Sequence, residues 1–99
     1  MAILVEQIVV WQNPSDPSVV SHRLYYAPEA NSLGYDSSFV EISMPSCEYN
    51  LSQLPINANG ENYKLALTAV DAIGNESDLS AEKVLPLDNT PPSTPVWLD

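Results

Sequence analysis

The sequence contains little positive charge. Three Lys and Arg residues stand against thirteen Asp and Glu, which gives a formal charge of −10 at pH 7. Such an excess of negative charge repels phosphate backbones and anionic lipid surfaces. We therefore expect no nucleic-acid partner and no membrane insertion.

Cysteine and histidine are each present once, as Cys47 and His22. A single cysteine excludes an internal disulfide and a thiolate metal cluster. A Cys–His nucleophilic pair also needs an orienting third group and an oxyanion hole, and the two residues fall in different predicted strands. General acid and base chemistry needs two carboxylates in one pocket, whereas the acids here are scattered over turns and outward-facing positions. We expect no enzyme activity, no metal centre and no cofactor.

Long apolar runs are also absent. No run approaches the roughly 20 residues that span a bilayer, although 44% of the residues are hydrophobic and a packed core is feasible. The N-terminus, MAILVEQ, has no basic leader and reaches Glu6 after four apolar residues, unlike a signal peptide. The 99 residues are enough for one compact domain. We expect that domain to be soluble.

Glycine is scarce and proline common, at three and nine residues, and apolar side chains alternate in short runs. No window keeps a 3.6-residue apolar period over three turns, so the pattern predicts strands separated by turns. The predicted strands are residues 3–12, 19–27, 39–43, 48–54, 63–69 and 79–87. The fifth has the length of a central strand, and Pro86 suits the sixth to a sheet edge. This predicts an all-β sandwich, with an antiparallel barrel as the alternative.

Four features occur in a characteristic order: Trp11 just before a proline-containing turn, His22, Leu24 and Tyr26 on one face, the phrase NLSQLP, and the phrase YKLALTAVDAIGNES. In this order and spacing the chain resembles a fibronectin type III domain. The resemblance implies an immunoglobulin-like antiparallel β-sandwich over residues 1–87. It also implies an extracellular or cell-surface location.

The resemblance implies a structural role for two aromatic residues. Trp11 would fill the space between the sheets, where such a ring buries about 150 to 250 Å². Tyr63 would form a tyrosine corner, with its ring inside and its hydroxyl bonded to main chain near Leu54. His22 stands where the family usually has a tyrosine or another large core residue. We expect it to be half-buried, with a backbone partner.

The tetrapeptide GNES has the composition of a turn. Gly74 permits a positive φ, and Ser77 can bond to nearby backbone, so these residues serve the chain reversal before any ligand. In the family, this loop and residues 13–18 at the same pole are common places for partners to touch. The resemblance therefore gives six candidate partner contacts: Asn13, Ser15, Asp16, Ile73, Asn75 and Glu76.

Residues 88–99, DNTPPSTPVWLD, resemble a linker and the first strand of a following repeat. The prolines stiffen such a connection, while Trp11 comes so early that little room remains for the family's own first strand. Either the sequence is cut one strand out of phase from a tandem array, or residues 94–98 cover an exposed edge of a neighbouring molecule. In the second case the first strand is supplied by another copy in a homo-oligomer. The strand-exchange candidates are then Val96, Trp97 and Leu98.

Two functions remain open. The first is a non-catalytic spacer or protein-interaction module, whose partners are other domains of a larger parent protein or another protein. The second is a small accessory module that binds calcium or carbohydrate through the two loops, because Asp71, Asn75, Glu76 and Asp78 offer hard oxygen ligands. No Asp-x-Asp-x-Asp-Gly loop is present, which favours the first function.

Overall fold

The computed structural model describes residues 8–13, 16–88 and 93–98. Within these ranges the chain is all-β. Its elements are β1 (Ile8–Val10), β2 (Val19–Pro28), β3 (Ser38–Ser43), β4 (Glu48–Asn50), a 3-10 turn (Leu51–Gln53), β5 (Asn59–Asp71) and β6 (Lys83–Asp88). The described ranges contain no helix of the length and apolarity needed to cross a bilayer.

The strands form two antiparallel sheets. The larger sheet has the order β3-β2-β5-β6, and the smaller one pairs β1 with β4. As predicted, β5 is a central strand and β6 an edge strand, with Pro86 opposite Asn62. Among the described strands, β1, β3, β4 and β6 each pair on one side only.

The alternation of side chains along β2 and β5 builds the core. Leu24 and Tyr26 face inward from β2, opposite Leu67 and Leu65 of β5, and three of the four are fully buried while Leu67 is partly buried. Burying one leucine side chain is worth about 1.5 to 3 kcal/mol. A slip of one residue would turn this whole face to water, so the apolar pattern sets the register.

Both sheets contribute to that core. Val9 and Tyr49 of the smaller sheet pack against the buried cluster, as does Trp11. The indole of Trp11 meets the ring of His22 edge-on, with 5.7 Å between centroids. Tyr63 is buried in the same cluster at 8% exposure, while the hydroxyl bond that its tyrosine-corner role implies stays a prediction.

Residues 48–54 do not form one strand, and that prediction is wrong. β4 ends at Asn50, whose Oδ1 accepts hydrogen bonds from the N–H (3.0 Å) and the hydroxyl (2.7 Å) of Ser52. This cap begins the 3-10 turn, in which residues three apart lie on one side. Leu51 and Leu54 are accordingly both buried, although strict alternation would place them on opposite faces.

Three other predicted strands differ from the structure by more than one residue in their bounds. The sixth begins at Lys83, four residues later than predicted. Residues 3–7 of the first lie outside the described residues, and the described part of β1 ends at Val10. The fifth begins earlier than predicted, at Asn59. Gly60 has a φ of 78°, and the register with β6 shifts there. The glycine therefore lets the strand start inside the segment predicted as a turn.

Candidate functional site

The two predicted contact loops meet at one end of the molecule. Asp16 and Ser18, before β2, line the same depression as Asn75 and Glu76, after β5. Residues 16–18 and 71–78 are called the pole loops below. Ser15, which was predicted with them, lies outside the described residues.

Asp16 holds its own loop in place. Its Oδ1 accepts hydrogen bonds from the N–H (2.9 Å) and the hydroxyl (2.7 Å) of Ser18. These bonds lower the pKa of Asp16 and outweigh two opposing causes, burial and the charge of Asp71. The carboxylate closes the turn that leads into β2, as short polar side chains commonly do.

Asp71 closes the second pole loop in the same way. Its carboxylate accepts bonds from the side-chain amide (3.0 Å) and the N–H (2.8 Å) of Asn75, and from the N–H of Ile73 (3.1 Å). These bonds, the side-chain amide first, lower the pKa of Asp71 against the effect of burial. Gly74, with a φ of 93°, completes the reversal, as its sequence position predicted.

The closed loop leaves one apolar side chain in solvent. Ile73 is 85% exposed, although its N–H bonds to Asp71. The hydrogen bonds of the loop therefore fix the backbone of Ile73, while its side chain is exposed and accessible to a partner. Isolated exposed apolar residues are ordinary, but this one stands on a loop held by its own hydrogen bonds.

Glu76 points away from the loop surface. Its carboxylate accepts hydrogen bonds from the hydroxyl of Tyr25, from Thr68 Oγ1 at 2.6 Å, and from Arg23 Nη1 at 3.1 Å. Its side chain is 17% exposed. These donors come from β2 and β5. The predicted partner contact is thus a residue whose carboxylate bonds within the protein.

The environment of Glu76 keeps it charged. Burial alone would raise the pKa of this carboxyl, but the hydrogen bonds from Thr68 and Tyr25 and the positive charge of Arg23 outweigh burial and lower it. Burial, followed by the bond to Glu76, raises the pKa of Tyr25. Tyr25 therefore remains the donor and Glu76 the acceptor at neutral pH.

Arg23 extends these contacts across the sheet. Its Nε lies 3.6 Å from Glu41 Oε1, and Glu41 also accepts a 2.6 Å bond from the hydroxyl of Ser21. The guanidinium lies over the ring of Phe39, 4.7 Å from its centroid, a favourable cation–π position. The outer-face cluster is defined as Ser21, Arg23, Tyr25, Phe39, Glu41, Thr68 and Glu76.

An aromatic loop residue covers the outer-face cluster. Tyr35 meets Tyr25 edge-on at 6.1 Å, and its hydroxyl donates a 2.9 Å bond to the carbonyl of Ser77. Tyr25 is consequently 1% exposed, although it lies on the face opposite to the core. The sequence prediction missed this cluster. The sequence feature that could have indicated the cluster is a pair of aromatic residues, Tyr25 and Phe39, on strand faces that were predicted to be solvent-exposed.

His22 is fully buried, at 2% exposure. Its Nε2 lies 3.1 Å from Asn13 Oδ1, and burial lowers its pKa. The expectation of a half-buried ring with a backbone partner is wrong, because the partner is the side chain of Asn13. Within the described residues, His22 Nδ1 and Trp11 Nε1 are buried and have no hydrogen-bond partner.

The oxygen atoms proposed for calcium do not converge. Asp71 and Asn75 bond to each other, while Glu76 turns toward Tyr25. In the ranges that the structure describes, no group of three or more His, Cys, Asp or Glu residues is placed to hold a metal ion. Cys47 is a half-buried free thiol.

The strand-exchange candidates lie in residues 93–98, which have no regular secondary structure. They are exposed side by side in solvent, at 85% for Val96, 94% for Trp97 and 100% for Leu98. Such a run of apolar residues is a potential contact surface.

Comparisons of the chain with protein-family models, with curated proteins and with solved structures return no match. The structure itself defines the class as an all-β domain with two antiparallel sheets.

Proposed function

We propose that the chain is an immunoglobulin-like β-sandwich of the fibronectin type III kind, and that it serves as a non-catalytic spacer or protein-interaction module of a larger exported or cell-surface protein. Two antiparallel sheets with a common core support the fold. One observation carries the function: three carboxylates of the pole loops, those of Asp16, Asp71 and Glu76, bond to the protein itself, and the loop tip presents an exposed isoleucine.

The hydrogen bonds within the pole loops favour a protein-contact function over a catalytic one. Asp16, Asp71 and Glu76 each accept at least two hydrogen bonds from the protein, and all three have a lowered pKa. A general acid needs a raised pKa. A loop fixed by such bonds loses less conformational freedom on association, which favours protein contact through Ile73.

Photo-crosslinking tests the proposed contact. A photoreactive amino acid replaces Ile73 in the intact chain, expressed in the organism that makes it. The matched control places the same group at Val84, which is 44% exposed on β6. We expect a crosslinked protein at position 73 and none at position 84. Equal crosslinking at both positions, or none at either, would contradict a contact through the pole loops.

Calcium or carbohydrate binding remains the alternative. The observation that favours it is the approach of two acids, since Asp16 and Asp71 line one depression and the charge of Asp71 opposes ionisation of Asp16. Thermal unfolding during separate titrations with calcium and with soluble oligosaccharides distinguishes the two functions. The interaction module predicts no change in midpoint. A saturable rise would favour the alternative, because a ligand that binds the folded state stabilises it.

A further inference from the structure

A second surface lies where the edges of the two sheets approach each other. An apolar groove runs between β1 and β6, over β5. This edge groove is lined mainly by Val9, Trp11, Leu24, Leu65, Leu67 and Lys83. None of these lining residues belongs to the pole loops or to the outer-face cluster.

The groove has two distinct ends. Val9, Leu65 and Lys83 line this groove, whereas Gln12 and Ala69 line an adjoining depression that shares Trp11, Leu67 and Ser80 with it. β1 and β5 therefore run in the same direction along the groove. A strand antiparallel to β1 would enter at Gln12 and finish beside Lys83.

Among the described residues β1 pairs with β4 alone, so its other side, called the open side here, presents main-chain groups for pairing. The N–H of Trp11 donates a 3.0 Å bond to the carbonyl of Cys47, on the β4 side. Main-chain groups of successive residues point to opposite sides of an antiparallel strand, so the N–H and carbonyl of Val10 face the open side. An edge strand with free N–H and C=O groups is a template for a further strand.

We propose that residues 93–98 of a second copy of this chain occupy the edge groove as a strand antiparallel to β1. The exposed side chains of Val96, Trp97 and Leu98 supply the apolar surface that the groove can cover. Lys83, which lines the groove, is one of three cations in a chain with a formal charge of −10. Main-chain pairing with alternate side chains in pockets is an established way to bind an extended segment.

The length of chain between β6 and residues 93–98 favours the tail of a second copy over the chain's own tail as the occupant of the groove. Asp88 is paired with Asn59, and Ser80 bonds to Leu67, eight residues further along β5. Eight residues of strand cover about 26 Å. The chain from Asp88 to Thr94 spans at most about 21 Å even when fully extended. A chain's own tail therefore falls short of the entry end of its own groove.

Sedimentation of the full chain and two variants tests the proposal. Val10→Pro removes the N–H on the open side of β1, and the tail variant replaces Val96, Trp97 and Leu98 together by serine. We expect the wild type to associate as its concentration rises and each variant to stay monomeric. An equal mixture of the two variants should associate, because one retains the tail and the other the groove. Circular dichroism checks that both variants keep the β-sheet spectrum.

A charge change keeps the test decisive if Val10→Pro fails to fold. Lys83→Glu should weaken self-association at least threefold, whereas Lys64→Glu, the same change on β5 outside the groove lining, should leave it unaltered. A wild type that stays monomeric up to about 1 mM, where even a weak complex of about −4 kcal/mol would be seen, would overturn the proposal. Failure of the mixed variants to associate would also overturn it.

Discussion

The hydroxyl of Tyr25 donates a hydrogen bond to the carboxylate of Glu76, 51 residues further along the chain. This bond joins β2 to the segment that follows β5. Thr68 and Arg23 donate to the same carboxylate. Because the Glu76 side chain is only 17% exposed, water screens these contacts much less than it screens a surface ion pair. The outer-face cluster therefore fixes one pole loop to the larger sheet.

Replacing Glu76 by glutamine should destabilise the protein. The amide keeps the size of the side chain but loses the charge that attracts Arg23 and strengthens three hydrogen bonds. We expect Glu76→Gln to lower the free energy of unfolding by about 2 kcal/mol at pH 7, measured by urea denaturation. Glu61→Gln, at an exposed position of β5, should change it by less than about 0.5 kcal/mol. Equal effects of the two variants would contradict the role of Glu76.

Acid should weaken the wild type more than the Glu76→Gln variant. The pKa of Glu76 is lowered from its ordinary value of 4.5 in the folded state. Its contribution to stability is therefore fully present above pH 4.5 and is lost as the pH falls through the lowered pKa. Unfolding free energies of the two proteins, measured from about pH 6 to pH 3, should converge toward low pH. Parallel curves would show that Glu76 titrates alike in the folded and unfolded states.

His22 should titrate below its ordinary pKa of 6.5, because burial disfavours the charged ring. Its contribution to stability is present above pH 6.5 and is lost as the pH falls through the lowered pKa. Since this is the only histidine, its ring protons in an NMR titration report the pKa without assignment. A midpoint at or above 6.5 would contradict the burial of the ring.

Ser80 should stabilise the part of β5 that lies beyond Leu65, the last residue of β5 that pairs with β6. Its hydroxyl accepts a 2.9 Å bond from the N–H of Leu67, while its own N–H donates a 2.9 Å bond to the Leu67 carbonyl. Ser80→Ala removes the acceptor, which should cost about 1 kcal/mol and speed amide exchange at Leu67. Ser43→Ala, at an exposed position of β3, is the control. Unchanged exchange at Leu67 in the Ser80 variant would contradict this role.

Much of the fold follows from alternation in the sequence. Leu24 and Tyr26 predicted the inward face of β2, and the long alternating run from Tyr63 predicted a central strand. The segment around Leu51 was predicted wrongly, because a local bond that Ser52 donates to Asn50 Oδ1 starts a 3-10 turn. A side-chain cap of this kind competes with strand pairing, and periodicity alone does not detect it.

The candidate site was less accessible from the sequence. The turn chemistry of Gly74 and the proximity of the two pole loops were predicted, whereas the inward direction of Glu76 was missed. That direction depends on donors from Arg23 and Tyr25, more than fifty residues away. Long-range pairing of single polar residues has no periodic signal. From the sequence alone, a glutamate in a turn is expected to be exposed, and Glu76 was predicted in this way.

Asp16, Asp71 and Glu76 of the pole loops bond within the protein, and we therefore expect these carboxylates to stabilise the fold and to leave a ligand without donors. A carbon-13 NMR titration of the Glu76 carboxyl, recorded with and without millimolar calcium, tests this claim most directly. The account predicts a pKa below 4.5 and the same chemical shifts in both samples. A pKa at or above 4.5, together with a calcium-dependent shift, would contradict it.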